Sequence, residues 1–330
     1  MKTFTSFFKI FVTVIFLLLL PDYLMLSQKN DTDSNIDNFI NVEKLSERVV
    51  VVRTGVTYFD AVTAIATKKG IVIFDAGLSP TVTKKYRKII EEQFNRNDFV
   101  YLINTHSHWD HTNGNEVFSE AIILGHESFR SEMIDRSSDK SGQINRYQKL
   151  LNRYAKTLQS LDTNSDYGKQ LTCRYNLYSL VIADLESDFG LCSPEITFNN
   201  RLTLDVEDIT LEIVNFGKAH SGSDIMIFIP EENLLLSGDL FNKGGGGNLS
   251  KLNHQEVVKT DIDRWYKTLR FLLEPGKKIE RIVDGHGAIL TKKDLLKFYK
   301  TVKSLWVDFN NGRGKSAKAI LSRVLEESGL

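Results

Sequence analysis

The sequence predicts an α/β sandwich, and three observations predict it. Apolar runs of strand length alternate with amphipathic helical stretches both early and late in the chain. A charged block with helical periodicity, about 127–193, separates these two β-rich halves. Histidines and aspartates recur where apolar runs end, the places where a scaffold carries its chemistry. Two β-then-α halves bury their apolar faces as two packed sheets with helices outside.

The first element, 1–27, reads as a signal peptide or an N-terminal anchor. Lys2 and Lys9 precede or punctuate an apolar run from Ile10 to Leu20, and after Pro21 and Asp22 the chain stays apolar through Leu26. That run is short beside the roughly 20 residues of a membrane span, and Met25 and Ser27 are its best pair for cleavage. Export to a periplasmic or extracellular location with cleavage is favoured. The alternative is membrane association through residues 7–26, with the domain facing outward. Residues 28–38 are polar and rich in Asn, Asp and Ser, a flexible linker, and the folded domain, 39–330, begins near Phe39.

β signals follow at Val49 to Arg53, Ala61 to Thr67 and Ile71 to Phe74, the last two joined by Lys68-Lys69-Gly70. Ser79 can cap a helix over Thr81 to Phe94, whose Tyr86, Ile89, Ile90 and Phe94 share one face. Strands are expected at Phe99 to Ile103 and Ala121 to Leu124. In the helical insertion, Tyr147, Leu150, Leu151, Tyr154 and Leu158 make one apolar stripe, which suits a lid, a packing appendage or a dimer surface. The β pattern returns at Arg201 to Leu204, Ile209 to Asn215, Ile225 to Ile229 and Leu234 to Ser237. Helices are expected over Asp261 to Leu273, Lys292 to Val307 and Ser316 to Glu327.

Forty-two basic residues balance forty-two acidic ones, so no net field invites nucleic acid and a nuclease is the weakest reading. Cys173 and Cys192 can pair in an exported protein or stay as two buried thiols, and spacing does not choose between these.

Chemistry concentrates in Thr105-His106-Ser107-His108-Trp109-Asp110-His111. Alternation turns the His106 and His108 rings to one side of an extended chain, and a turn must bring Asp110 and His111 back. Imidazole nitrogens with a carboxylate suit zinc or a similar divalent cation. Four donors in so short a span fit one closed structural site, or two metals with an open position for chemistry. Further donors end later apolar runs: His220 in Gly217-Lys218-Ala219-His220-Ser221-Gly222, Asp239 in Ser237-Gly238-Asp239, and His286 in Asp284-Gly285-His286-Gly287. Flanking glycines let the backbone turn where a β-carbon would obstruct a crowded centre. Seven donors exceed the needs of one tetrahedral ion and suit two cations sharing a water.

These residues, in this order, resemble the metallo-β-lactamase superfamily of the HxHxDH type over roughly Val49 to Leu290. The resemblance implies a four-layer αββα sandwich with its site along one edge of the sheets. It implies His106, His108 and His220 around a first metal, Asp110, His111 and His286 around a second, and Asp239 bridging them. The cofactors would be two divalent ions, Zn2+ foremost, with Fe or Mn accepted by the same donors. A hydroxide shared by both ions would attack an ester, thioester, lactone or related bond of a small-molecule substrate, with Asp110 as the catalytic proton acceptor. Asp rather than Cys at position 239 makes the chain more similar to glyoxalase II and other esterase, thioesterase, lactonase or sulfatase-like hydrolases than to many β-lactam-hydrolysing members, and the stretches Ile123 to Glu127 and Ala219 to Phe241 resemble sulfur-metabolism-associated hydrolases. A β-lactam-hydrolysing enzyme and a non-hydrolytic iron-binding redox or binding protein are the alternatives.

Several residues have a supporting role and a plainer reading side by side. Asp75 hydrogen-bonds a ligand imidazole, or merely leads a helix. Lys218 and Lys243, the latter beside the Gly244 to Gly247 run, attract an anionic substrate or are ordinary surface lysines. Trp109 walls the substrate pocket or packs in the core. His126 reads as structural and His254 as a surface residue.

Overall fold

The structure is a computed structural model that describes residues 36–55, 60–137, 139–187, 189–240 and 258–311. The N-terminal segment 1–27, most of the expected linker, Lys243, the Gly244 to Gly247 run, His254 and the helix expected over Ser316 to Glu327 lie outside the described residues.

One sheet runs in chain order: β1 (Ile40–Ser46), β2 (Val49–Thr54), β3 (Ala61–Ala66), β4 (Ile71–Phe74), β5 (Phe99–Ile103), β6 (Ile122–His126) and β7 (Ile196–Phe198). Its first four strands form an antiparallel meander and its last four run parallel, with α1 (Pro80–Phe94) crossing from β4 to β5. The second sheet contains β8 (Arg201–Asp205), β9 (Thr210–Asn215), β10 (Ile225–Ile229), β11 (Leu234–Leu236), β12 (Arg281–Val283) and β13 (Ile289–Thr291) in the reverse spatial order β13 to β8.

Strand alternation decides the layering. In β2, Val49 and Val51 enter the core between the sheets, while Val50 and Val52 lie under helices. Both faces are therefore covered, which is why β2 and β4 read as unbroken apolar runs. Between the sheets, Ile65, Phe74 and Ile103 belong to one cluster with Ile213, Ile227 and Leu236. On the outside of the second sheet, Met226, Phe228 and Ile282 pack with Trp265 and Leu269 of α6 (Lys259–Leu272) and with Phe298 of α7 (Lys292–Asn310). The order is helix, sheet, sheet, helix.

Ser79 caps α1, its Oγ accepting the Val82 amide at 3.3 Å with Pro80 in the first turn. A short helical turn, α2 (Trp109–Thr112), follows β5. The insertion supplies α3 (Phe129–Ser137), α4 (Lys140–Leu158) and α5 (Asp166–Glu186). These do not stand apart: Tyr147, Leu151, Leu177 and Val181 share a core with Val50, Ile73 and the α1 residues Tyr86 and Ile90. The Asp184 carboxylate of α5 accepts the Ser79 hydroxyl at 2.5 Å and the Thr81 hydroxyl at 2.6 Å, stitching the insertion to the start of α1.

Some boundaries differ from expectation. Strand β1 escapes a sequence reading because it is an edge strand of mixed polarity with no fully buried residue. β7, β12 and β13 have three residues each and, unlike the equally short all-leucine β11, include a polar residue, so no strand signal stands out. Packing begins before Phe39, since Ile36 is buried in the outer core. No disulfide forms; Cys173 and Cys192 are both free thiols, the first of them buried. Among the described residues no helix is long and apolar enough to cross a membrane.

Candidate metal centre

Strand direction gathers the candidate residues. β4 and β5 run parallel, so Asp75 and the His106 to His111 segment leave the first sheet at one edge. In the second sheet β9, β11 and β12 share a direction, so His220, Asp239 and His286 leave at their common ends. The Ile225 amide of β10 donates to the Thr105 carbonyl at 2.9 Å, joining the two edges.

Two groups of donors result: His106, His108, His220 and Asp239 in one, and Asp110, His111, Asp239 and His286 in the other, each with ligand atoms within 4.8 Å of one another. In the first, His106 Nε2 lies 2.9 Å and His220 Nε2 2.7 Å from His108 Nδ1, so three ring nitrogens converge. The Thr105 hydroxyl sits 3.1 Å from His106 Nδ1 and leaves Nε2 facing that group. In the second, His111 donates from Nδ1 to Asp75 Oδ2 at 2.9 Å. Its Nε2 points at Asp239 Oδ1, 3.4 Å away, and Asp110 Oδ2, 3.5 Å away. Asp239 reaches both groups, with Oδ2 at 3.0 Å from His286 Nε2 and 3.4 Å from His220 Nε2.

Electrostatics separate the groups. Burial, joined by the neighbouring His111 and His108 rings, holds the His106 imidazole well below the usual histidine range, so it stays neutral. Burial would also lower His111, but the charges of Asp110, Asp239 and Asp75 outweigh it and hold that ring well above 6.5. His286 rises to about 9, burial again being overcome by Asp239. Burial alone would raise Asp110 and Asp239; His111 outweighs it for both carboxyls, with His286 adding to the effect on Asp239, and both are held low.

This donor set fits divalent cations. His106 Nε2 and His220 Nε2 both face His108 Nδ1 within hydrogen-bond distance, so three imidazole nitrogens turn toward one place where a single cation could take all three lone pairs. His111 Nε2 is buried with no hydrogen-bond partner although two carboxylates face it. A family model of the metallo-beta-lactamase superfamily matches residues 59–286, more than half of the chain.

The chain belongs to the metallo-β-lactamase superfamily.

It is similar to a metallo-beta-lactamase type 2 of Bacteroides fragilis, 26% identical over 104 residues, a match covering 32% of this chain and only 40% of that relative's length. A metallo-beta-lactamase type 2 of Bacillus sp. (strain 170) is 22% identical over 274 residues, covering 81% of this chain and 82% of the relative. A solved structure of a double mutant of the sec-alkyl sulfatase PisA1 superposes with a TM-score of 0.57 at 14% identity, covering 83% of this chain and 42% of that one. Superfamily membership and the paired His/Asp groups support a metal-dependent hydrolase.

Around this superfamily site the supporting candidates fall differently. Asp75 is buried and binds His111 directly, while also accepting the Thr105 amide and hydroxyl at 2.7 Å each. Trp109, Thr112 and Asn113 line a pocket with Ser107, Met133, Leu185 and Leu191, whereas Asp110 and His111 belong to a donor group. The Trp109 ring packs 5.3 Å from that of Tyr147. Lys218 is exposed two residues before His220. His126 is buried, 2.9 Å from both the Ser128 hydroxyl and the Asn199 carbonyl.

The sequence alone assigns no role to three carboxylates beside the site. Asp224 accepts the His220 and Ser221 amides at 2.7 and 2.8 Å, and Asp284 accepts the His286 and Ala288 amides at 3.0 and 2.8 Å. An Asp close to a ligand in a Gly- and Ser-rich turn was the available signal. Glu132 had none, because its partners lie 25 and 91 residues away.

Proposed function

We propose that the chain is a dinuclear zinc hydrolase that cleaves an ester, thioester, lactone or related bond of a small substrate. The observation that carries this reading is Asp239, which belongs to both donor groups and so can serve two cations at once. His106, His108 and His220 would hold one cation, Asp110, His111 and His286 the other. Bound zinc supplies Lewis acidity, lowering the pKa of water to about 7 and polarising a carbonyl or similar oxygen.

The chain's own residues do the rest. Asp75 keeps the Nδ1 proton of His111 engaged, so Nε2 is the nitrogen turned inward, where a cation would take the place of its proton. Asp110 is only partly buried, so its carboxylate lies where attacking water could reach it and give up a proton to it. Burial of His106, His111 and Asp239 excludes bulk solvent, which strengthens each of their charge interactions. Half-buried His108, Asp110 and His286 mark the side from which a substrate reaches the centre. β-Lactam hydrolysis is the second reading, favoured by the names of the curated relatives.

The test is elemental analysis of the purified chain followed by a screen against thioester, lactone, sulfate-ester and β-lactam substrates. Zinc together with turnover that Asp110→Ala abolishes supports the proposal. Iron with redox-active spectra and no turnover in any class overturns it. Export through residues 1–27 is proposed from the apolar run Ile10 to Leu20, and cell fractionation tests it separately.

A further inference from the structure

We infer that Glu132 is a positioning residue for the metal centre, and that the first turn of the inserted helix α3 clamps together the two loops bearing His106, His108 and His220. The inference rests on reading those three histidines as ligands. Glu132 Oε2 accepts the Ser107 hydroxyl at 2.5 Å and the Ser223 hydroxyl at 2.7 Å. Ser107 stands between His106 and His108, and Ser223 three residues after His220, so one carboxylate oxygen spans both loops. The Ser107 amide donates to the Ser223 hydroxyl oxygen at 3.1 Å, closing a small network in which both serines are buried.

A second contact comes from the same turn. Ser128, four residues before Glu132, donates its hydroxyl to the Gly222 carbonyl at 2.8 Å. His126, just upstream, ties that turn to the Asn199 carbonyl beyond β7. Gly222 completes the fit: a β-carbon there would lie 2.1 Å from Glu132 Oε1, so the carboxylate rests on the loop because residue 222 has no side chain. Hydrogen bonds to an ionised acceptor are stronger than neutral ones, and a ligand loop held this way keeps its donor aimed. The insertion thus contributes to the geometry of the centre through Glu132 without supplying a ligand.

The test uses the full chain carrying Glu132→Ala or Glu132→Gln, with two readouts. Competition against a chromophoric chelator measures zinc affinity, and hydrogen–deuterium exchange of the metal-free chain reports on the loops. Glu132→Ala is expected to weaken zinc binding about 10- to 100-fold and to speed exchange in 104–108 and 218–225, with α7 unaffected. Glu132→Gln keeps an acceptor oxygen and is expected to recover most of both. If Glu132→Ala does not fold, the pair Ser107→Ala and Ser223→Ala removes the donors instead and is expected to show the same losses. Unchanged affinity and unchanged exchange in a folded variant overturn the clamp. Faster exchange with unchanged zinc affinity reduces Glu132 to a structural staple and overturns its positioning role. An unaltered chain that binds no zinc overturns the ligand reading itself, which the exchange data then separate from the clamp.

Discussion

His111 Nδ1 donates to Asp75 Oδ2 at 2.9 Å, and that pairing decides which nitrogen of His111 faces the centre. Asp75 sits in the left-handed region, φ 58°, directly after β4, where its carboxylate also collects the Thr105 amide and hydroxyl. Asp75→Ala removes the acceptor of three buried donors, and zinc affinity is expected to fall about 10- to 100-fold. Stability of the metal-free chain should fall by roughly 1–3 kcal/mol, the cost of stranding a buried polar group. Chelator competition and denaturant melts check the two effects; an unchanged affinity would remove Asp75 from the site.

Asp239 and His286 should differ in reach. Asp239 belongs to both donor groups and His286 to one, so Asp239→Ala is expected to lose both metals and His286→Ala a single equivalent. Elemental analysis after dialysis distinguishes them. Equal stoichiometries in the two variants would contradict the shared placement of Asp239.

Gly285→Ala tests the crowding of the centre. A β-carbon at this position would lie 2.4 Å from Asp239 Oδ1 and 2.7 Å from His111 Cε1, and Gly285 is also tied to the Gly238 carbonyl at 2.8 Å. Neither neighbour can retreat without leaving its group. The expected result is near-complete loss of bound zinc with native far-UV circular dichroism, and full metal content would sink it.

Cys173 supplies a prediction far from the centre. Burial pushes its thiol up from 9.0 to about 12, so the fold favours the neutral form. Its contribution to stability is complete below about pH 9 and is lost as pH rises toward 12. At pH 8 an aromatic disulfide reagent should therefore label at most the half-exposed Cys192 quickly, and Cys173 only after unfolding. Two fast equivalents in the native chain would show that Cys173 is accessible.

Legibility followed sequence distance. Val49 to Thr54 and Ile71 to Phe74 announce buried strands because both faces of each are covered, and Tyr86 and Ile90 announce the buried side of α1. The His106 to His111 run is readable because its donors are adjacent in the chain. The three-residue strands β7 and β12 are not readable, since pairing with neighbouring strands rather than their own pattern holds them. Trp109 shows the same limit at one residue. Nothing local says that one turn of α2 sends its ring toward Tyr147 while the next two side chains face the metal groups.

The sequence by itself determined the residue types, their order and their placement at strand ends, and hence the superfamily and seven donor candidates. Those properties are local, because a strand period and a ligand run are written in neighbouring residues. The family resemblance already implied two donor groups sharing Asp239, whereas only the tertiary structure decided that the imidazole Asp75 orients is His111, and that Glu132 from the insertion grips two ligand loops. Each is a contact between segments that only the packing of two sheets and their helices brings within hydrogen-bond range.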